Sequence, residues 1–324
     1  MNILRRDFLH LAAGAVTLPI FSRRAWAAAY PERSVRMVVG FPAGQAADSL
    51  ARIVAQSLQE RLGQTFLVDN RPGAGGNIGT DAVVKAPADG YTILLEVMTG
   101  NAINTSLYSN LNFDFMRDIA PVALLGGASY VMVVNPNVQA KTIPEFIAYA
   151  KAHPGKINMG SAGIGTPPHM FGELFRIMTG IDMVHVPYKG SYVPDLLSGQ
   201  TQVVFSPVPT TVAQIRAGQL RALGVTAAKH SSALPDVPSI GEFVKGYDAT
   251  GYFGIGAPKN TRADIIDKLN KTIAETIADP PVKAKLESLG LEPMAMTPAE
   301  YGKLIAEETD KWAKVVKATN MKVE

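Results

Sequence analysis

The stretch VVGFPAGQAADSL, residues 38–50, runs from an apolar, β-branched segment into a helical one through a Gly/Pro/Ala bend. INMGSAGIGTPPHMFGELF, residues 157–175, repeats the design. A near-continuous apolar run suits a strand buried on both faces of a parallel sheet. Parallel neighbours need a crossover between them, usually a helix. Two such strand–bend–helix units therefore point to an α/β chain.

The remainder fits that class. VRMVVGF is a buried strand, and Leu50, Ile53, Val54 and Leu58 follow helical spacing up to Gly63, which stands where a C-cap belongs. TFLVDN is a second strand, RPGAGGNIGT leads into a short helix holding Val83 and Val84, and YTILLEV is a third strand opening into a polar loop, MTGNAIN. The pattern then restarts with the strand SYVMVVNP, the helix TIPEFIAYAKAHPG, the second bend with its helix, and the strands MVHVPY, QVVFSP and LRALGVT. GYFGIGAP follows, then a helical tail from about Thr261 in which Thr297 and Pro298 form an N-cap and N1 pair. Two similar α/β runs joined by extended apolar segments near 127–134 and 250–257 suggest two lobes. Their expected bounds are 28–126 plus 251–324 for the first and 127–250 for the second.

The first 27 residues, MNILRRDFLHLAAGAVTLPIFSRRAWA, have a basic start, a short apolar run and a small-x-small end at Ala25-Trp26-Ala27. This is an export signal, with cleavage expected after Ala27. Arg5 and Arg6 followed by Phe8 and Leu9 resemble a twin-arginine signal, although Leu4 and His10 depart from its usual flanks; an ordinary secretory signal is the alternative. The mature protein is expected in the periplasm. Of the whole chain's 31 basic and 28 acidic residues, this segment holds four and one, leaving 27 of each. With no net charge and no long basic run, the mature chain is not built for nucleic acid. No cysteine is present, which excludes disulfides, thiolate metal sites and cysteine nucleophiles.

Ligands of open parallel sheets lie beyond the carboxyl ends of the strands, where both bends fall. Small residues let the backbone approach a ligand, and the following helix presents unpaired N–H groups. One helix start favours an anion by about 0.3–1 kcal/mol when exposed and about 2 when partly buried. Micromolar binding needs about 8 kcal/mol, so two facing starts, further hydrogen bonds and closure around the ligand are required. The first bend offers Phe41, Gly44, Gln45, Ala46 and Asp48, and the second Ser161, Gly163, Gly165 and Thr166. Asp48 and Thr166 are equally readable as helix caps. His169 and Glu173, four apart on one helix face, are either a structural pair or a ligand contact.

Enzyme motifs fail letter by letter. Met159 occupies the first glycine of a G-x-S-x-G elbow around Ser161, and Ile78 the last glycine of a dinucleotide fingerprint in GAGGNIG. There is no G-K-[ST] loop, and the four histidines outside the signal (His153, His169, His185, His230) lack metal-ligand spacing. No cofactor or metal is expected.

The marks YPERSVRMVVGFPAG, DNRPGAGGNIGTDAVVKAPADGYT, INMGSAGIGTPPH, VPYKG, LRALGVT, LPDVPSIGE and PPVKAKLESLGLEP follow one another through the mature chain. In order and spacing they resemble the receptor family of tripartite tricarboxylate transporters, the Bug-type periplasmic solute-binding proteins. The resemblance implies a two-lobed Venus-flytrap fold of type II that captures a small carboxylate in the cleft and presents it to a membrane permease. It implies a monomer and no enzymatic activity. By position, Phe41, Gly44, Ala46 and Asp48 match the family's first loop, and Ser161, Gly163, Gly165, Thr166 and His169 its second. Asn101 in TGNAIN and Tyr188 in Tyr188-Lys189-Gly190 are implied to face the cleft. Two departures stand out. Gln45 replaces the family's usual second glycine, and the SYVP segment is shorter than expected, which would bring Tyr192 toward the pocket and favour an aromatic or elongated ligand. The alternatives are a receptor delivering its solute to a sensor protein, or an exported α/β hydrolase.

Overall fold

Val35, Met37, Val38 and Val39 are each 0% exposed, so strand β1 (Val35–Val39) is covered on both faces, as its unbroken apolar run requires. The computed structural model describes residues 30–188 and 190–323. The segment read as an export signal, with its arginine pair and expected cleavage point, lies outside the described residues, as does Lys189.

The described residues from Arg33 onward form one unit built on two sheets. After β1 come α1 (Ala46–Leu62), β2 (Phe66–Asn70), α2 (Asn77–Val84), β3 (Thr92–Val97), α3 (Met98–Leu107), the short α4 (Phe115–Asp118) and β4 (Ile119–Ala128). The chain continues through β5 (Tyr130–Val134), α5 (Ile143–Ala152), β6 (Asn158–Ser161), α6 (Pro167–Thr179), β7 (Val184–Pro187) and α7 (Val193–Ser198). Then follow β8 (Val203–Pro207), α8 (Val208–Arg216), β9 (Arg221–Val225), β10 (Gly251–Pro258), α9 (Ala263–Ala278), α10 (Pro280–Ser288), β11 (Leu291–Pro293) and α11 (Pro298–Thr319). The first sheet has the order β11-β4-β10-β3-β1-β2 and the second β7-β6-β8-β5-β9.

Each sheet has a parallel trio whose middle strand comes first in the chain. β1 lies between β2 and β3, and β6 between β7 and β8. The chain thus turns opposite ways after β1 and after β6, creating a crevice beyond the carboxyl end of each. The other neighbours are antiparallel: β10 runs against β3 and β4 in the first sheet, and β5 against β8 and β9 in the second. The chain passes from the first sheet to the second between Ala128 and Tyr130, and is back in the first at Gly251.

The tail helix α11 ties the two sheets together. Thr297 caps it, accepting from the Glu300 N–H while the Glu300 carboxylate accepts from the Thr297 N–H, a reciprocal capping box. Trp312, 0% exposed on α11, stacks on Phe171 of α6 with ring centroids 5.3 Å apart. The Trp312 indole N–H donates to Glu308 at 2.8 Å, which satisfies its one polar group inside the core.

One sequence reading is corrected. MTGNAIN is not a loop but most of α3, entered directly from β3. Eight of its ten residues are buried, including Thr99, Asn101 and Asn104, so it has no polar face to betray it.

Candidate functional site

A cavity of about 200 Å³ lies where the two crevices meet. Phe41, Gln45, Ala46 and Ala47 line it from the bend after β1, and Val97, Gly100, Asn104 and Tyr108 from the end of β3 and from α3. Across from these are Ala162, Ile164, Gly165, Thr166, Pro167 and Pro168 from the bend after β6, and Pro207 from the end of β8. Gly75 lines it too, as do Tyr130 and Phe253 from the strands flanking the crossings between sheets.

Close backbone packing explains the Gly-rich segment before α2. A Cβ on Gly79 would lie 2.7 Å from Gly40 Cα, so these glycines let α2 pack onto the end of β1. They brace the first bend rather than form a dinucleotide loop.

In that bend Gln45 is the N-cap of α1, with extended backbone and no side-chain capping bond. Asp48 was expected either to cap the helix or to contact the ligand. It is not the cap but the third helical residue, 3% exposed, reaching back to accept from the Gly44 N–H at 2.9 Å and from Arg52 Nε at 3.0 Å. The Arg52 guanidinium holds its carboxyl below the ordinary range, against the upward push of burial. Asp48 thus fixes the bend. The helical ladder begins with Ser49 N–H donating to Gln45 C=O, so the amides of Ala46, Ala47 and Asp48 stand outside it.

The second bend is knit to itself. Ser161 is 0% exposed; its Oγ accepts from the Gly163 N–H at 3.1 Å and is bonded to His185 Nε2 at 2.6 Å. Thr166 holds the N-cap position of α6, but its hydroxyl donates to Gly163 C=O at 2.8 Å instead of capping. The Gly165 N–H donates to His169 Nδ1 at 3.1 Å, which places the His169 proton on Nε2, 3.9 Å from Glu173 Oε1. Glu173 is in turn paired with Arg176 at 2.8 Å. The rings of His169 and His185 stack 3.5 Å apart. Burial pushes His169 down to about 3, helped by His185 and Arg176, and His185 down to about 4, so both are neutral at pH 7.

Of the residues picked from the sequence, Phe41, Gln45, Ala46, Gly165 and Thr166 therefore meet around one cavity. Gly44, Asp48, Ser161, Gly163 and His169 stand behind it as the hydrogen-bonded framework of the two bends. Asn101 is 6% exposed within α3, and its place at the wall is taken by Gly100, Asn104 and Tyr108. Tyr188 donates to Asp195 at 2.7 Å and is not in the cavity wall. Tyr192 does not reach the cavity either. It is 5% exposed, packs with Val131, Val133 and Leu196, and bonds to Ser206 Oγ at 2.8 Å, because the short segment turns it under the second sheet. Asn104 lies within the TGNAIN segment expected at the cleft but was not singled out, and Tyr108 was missed; the two are spaced i+4 and i+8 from Gly100 on one helical face. Among the described residues, no cluster of His, Asp or Glu is arranged for a metal ion, and no helix is long and apolar enough to cross a membrane.

The sequence profile of the tripartite tricarboxylate transporter family receptor matches residues 50–321. The protein BugT of Bordetella pertussis is 37% identical over 300 residues, 91% of either chain. Among solved structures, R. palustris Rpa4515 with adipate superposes with a TM-score of 0.81 at 33% identity, covering 90% of this chain and 99% of that one. MatC (Rpa3494) from Rhodopseudomonas palustris with bound malate gives 0.76 at 27% identity, over 89% of this chain and 100% of its own.

Proposed function

The chain belongs to the tripartite tricarboxylate transporter receptor family, and from that premise we propose that it captures a small carboxylate in the cavity between its lobes and delivers it to the membrane permease of such a transporter. The observation that carries this reading is the cavity itself, set at the switch points of both sheets with the free amides of α1 at its wall. The two lobes are residues 28–126 with 251–324, and 127–250, closing on the solute as a monomer. Gln45 is the one long polar side chain of the first bend at the wall and tunes which solute fits. The receptor works in the periplasm after export by the twin-arginine signal and cleavage behind Ala27. It performs no chemistry on its solute. In support, Ser161, whose hydroxyl lies 2.6 Å from His185 Nε2, is 0% exposed and also accepts from the Gly163 N–H.

Thermal denaturation of the purified chain, stripped of solute by unfolding and refolding, tests the proposal. The panel is citrate, succinate, glutamate, adipate, terephthalate, benzoate and nicotinate, with neutral sugars and amines as controls. A carboxylate at one hundred times its Kd adds about 2.7 kcal/mol, raising the midpoint by roughly 5 °C in a chain of this size. A shift given only by neutral sugars or amines would overturn it.

A further inference from the structure

Asn104 and Tyr108 form a corner of the cavity wall whose hydrogen-bonding sense is fixed. Asn104, 3% exposed, spends both of its amide hydrogens: Nδ2 donates to Gly75 C=O at 3.1 Å and to Asn77 Oδ1 at 2.9 Å. A backbone carbonyl can only accept, so the bond to Gly75 settles which end of the amide is nitrogen. Oδ1 is left as an acceptor with no donor among the described residues. Tyr108, one turn further on, bonds to none of the described residues through its hydroxyl. Burial pushes its phenol above the ordinary value, so the hydroxyl keeps its proton at pH 7. Gly75 brings the two groups together. A Cβ built there would lie 3.2 Å from Tyr108 Oη and 3.4 Å from Asn104 Oδ1, so the two oxygens border one space that a side chain would fill. All three residues line the cavity.

We propose that the solute carries a hydroxyl group, which donates to Asn104 Oδ1 and accepts from the Tyr108 O–H. This deepens the receptor reading above and rests on it, but it concerns a different part of the solute from the carboxylate. A hydroxyl fills both roles at once. A keto or carboxylate oxygen satisfies Tyr108 alone and sets its lone pairs against Oδ1. A C–H group satisfies neither, and leaves two polar groups stripped of water when the solute covers them. Sites built to bond a hydroxyl reject the analogue that lacks it far more strongly than an apolar pocket rejects an added methylene. The corner therefore selects hydroxy acids over their deoxy counterparts.

Calorimetric titration of the refolded, solute-free chain with pairs differing by one hydroxyl tests this: malate against succinate, lactate against propionate, 3-hydroxybutyrate against butyrate, and 3- and 4-hydroxybenzoate against benzoate. The expected result is a Kd at least about fivefold lower for the hydroxy member in at least one pair, as two neutral hydrogen bonds would give. Tyr108→Phe removes the hydroxyl and keeps the ring. It should cut that advantage at least threefold while leaving the Kd of the deoxy partner within about twofold of wild type, which a merely structural role for Tyr108 would not do. A smaller advantage in every pair overturns the inference and leaves the receptor reading intact. So does an advantage that Tyr108→Phe leaves whole. If none of these carboxylates binds, the inference falls, and the receptor reading is decided by the thermal panel above.

Discussion

Gly165 is where a single added carbon should separate binding from folding. Its φ is +76°, and a Cβ built there would lie 2.0 Å from Leu107 Cδ2, far inside contact distance. Gly165 belongs to the second bend, whereas Leu107 ends α3 beside the first sheet and is 1% exposed, with little room to yield. Gly165→Ala therefore brings two costs. Left-handed backbone in alanine costs about 1–2 kcal/mol, and it does so wherever the lobes are. Overpacking against Leu107 costs about 1–3 kcal/mol, and only when the second bend sits on α3. A receptor that closes on its solute feels just the second cost in its affinity, a rise in Kd of about 5- to 150-fold. Calorimetric titration of the wild type, Gly165→Ala, Leu107→Ala and the double variant isolates this coupling. In the Leu107→Ala background the atom that is struck is gone, so adding Gly165→Ala should change Kd by less than about twofold, a few tenths of a kcal/mol. A wild-type Kd in Gly165→Ala, or an equal loss in both backgrounds, would refute the argument that this contact forms on closure.

Two further outcomes follow from buried polar groups. Burial holds Glu96 at about 7 against an ordinary 4.5, so its folded state gains about 3 kcal/mol of relative stability as pH falls across that window; His169 and His185, held at about 3 and about 4 against 6.5, act oppositely and withdraw stability as pH falls below 6.5. Glu96→Gln removes the opposing gain, and the fall of the melting midpoint between pH 6.5 and 5 should become steeper than in the wild type; an unchanged slope is the contrary result. Tyr192→Ala, which empties a site in the core under the second sheet, should destabilise the fold by about 3–5 kcal/mol, as loss of a buried aromatic does, while leaving the ranking of solutes as it was; a changed ranking in titrations would return Tyr192 to the cavity.

What the sequence made legible depended on how each element meets water. β1, β6 and the amphipathic α1 and α6 show buried runs and one-sided periodicity, so both bends could be located and their residues named. Helix α3 is covered nearly all round, and its polar Thr99, Asn101 and Asn104 are buried as fully as its apolar residues, which erased the 3.6-residue signal. With the helix hidden, the i, i+4, i+8 face of Gly100, Asn104 and Tyr108 was hidden too, and the choice fell on Asn101, which is off the wall. Strand β4 was passed over because Pro121, Gly126 and Gly127 break up its apolar run, although it is the longest strand of the first sheet. Tyr192 was misplaced for another reason: loop length gives a side chain's reach but not its direction, and Ser206 on β8 draws its hydroxyl under the sheet.

The prolines of α6 change the energetics that the two bends first suggest. Two facing helix starts would share the anion, but here one start keeps its amides and the other lacks its first two. A single start contributes at most about 2 kcal/mol of the roughly 8 that micromolar binding demands. Each Å² of apolar solute surface buried against Ile164, Pro167, Pro168, Pro207 and Phe253 would add about 25 cal/mol, so apolar contact has to supply a share of the remainder. In the receptor role proposed above, the amides at the α1 start would select for a carboxylate, while contacts with Pro167, Pro168 and Phe253 would rank the members of that class. Conservative changes at the α1 start should accordingly weaken all carboxylates together, whereas changes along the proline wall should reorder them.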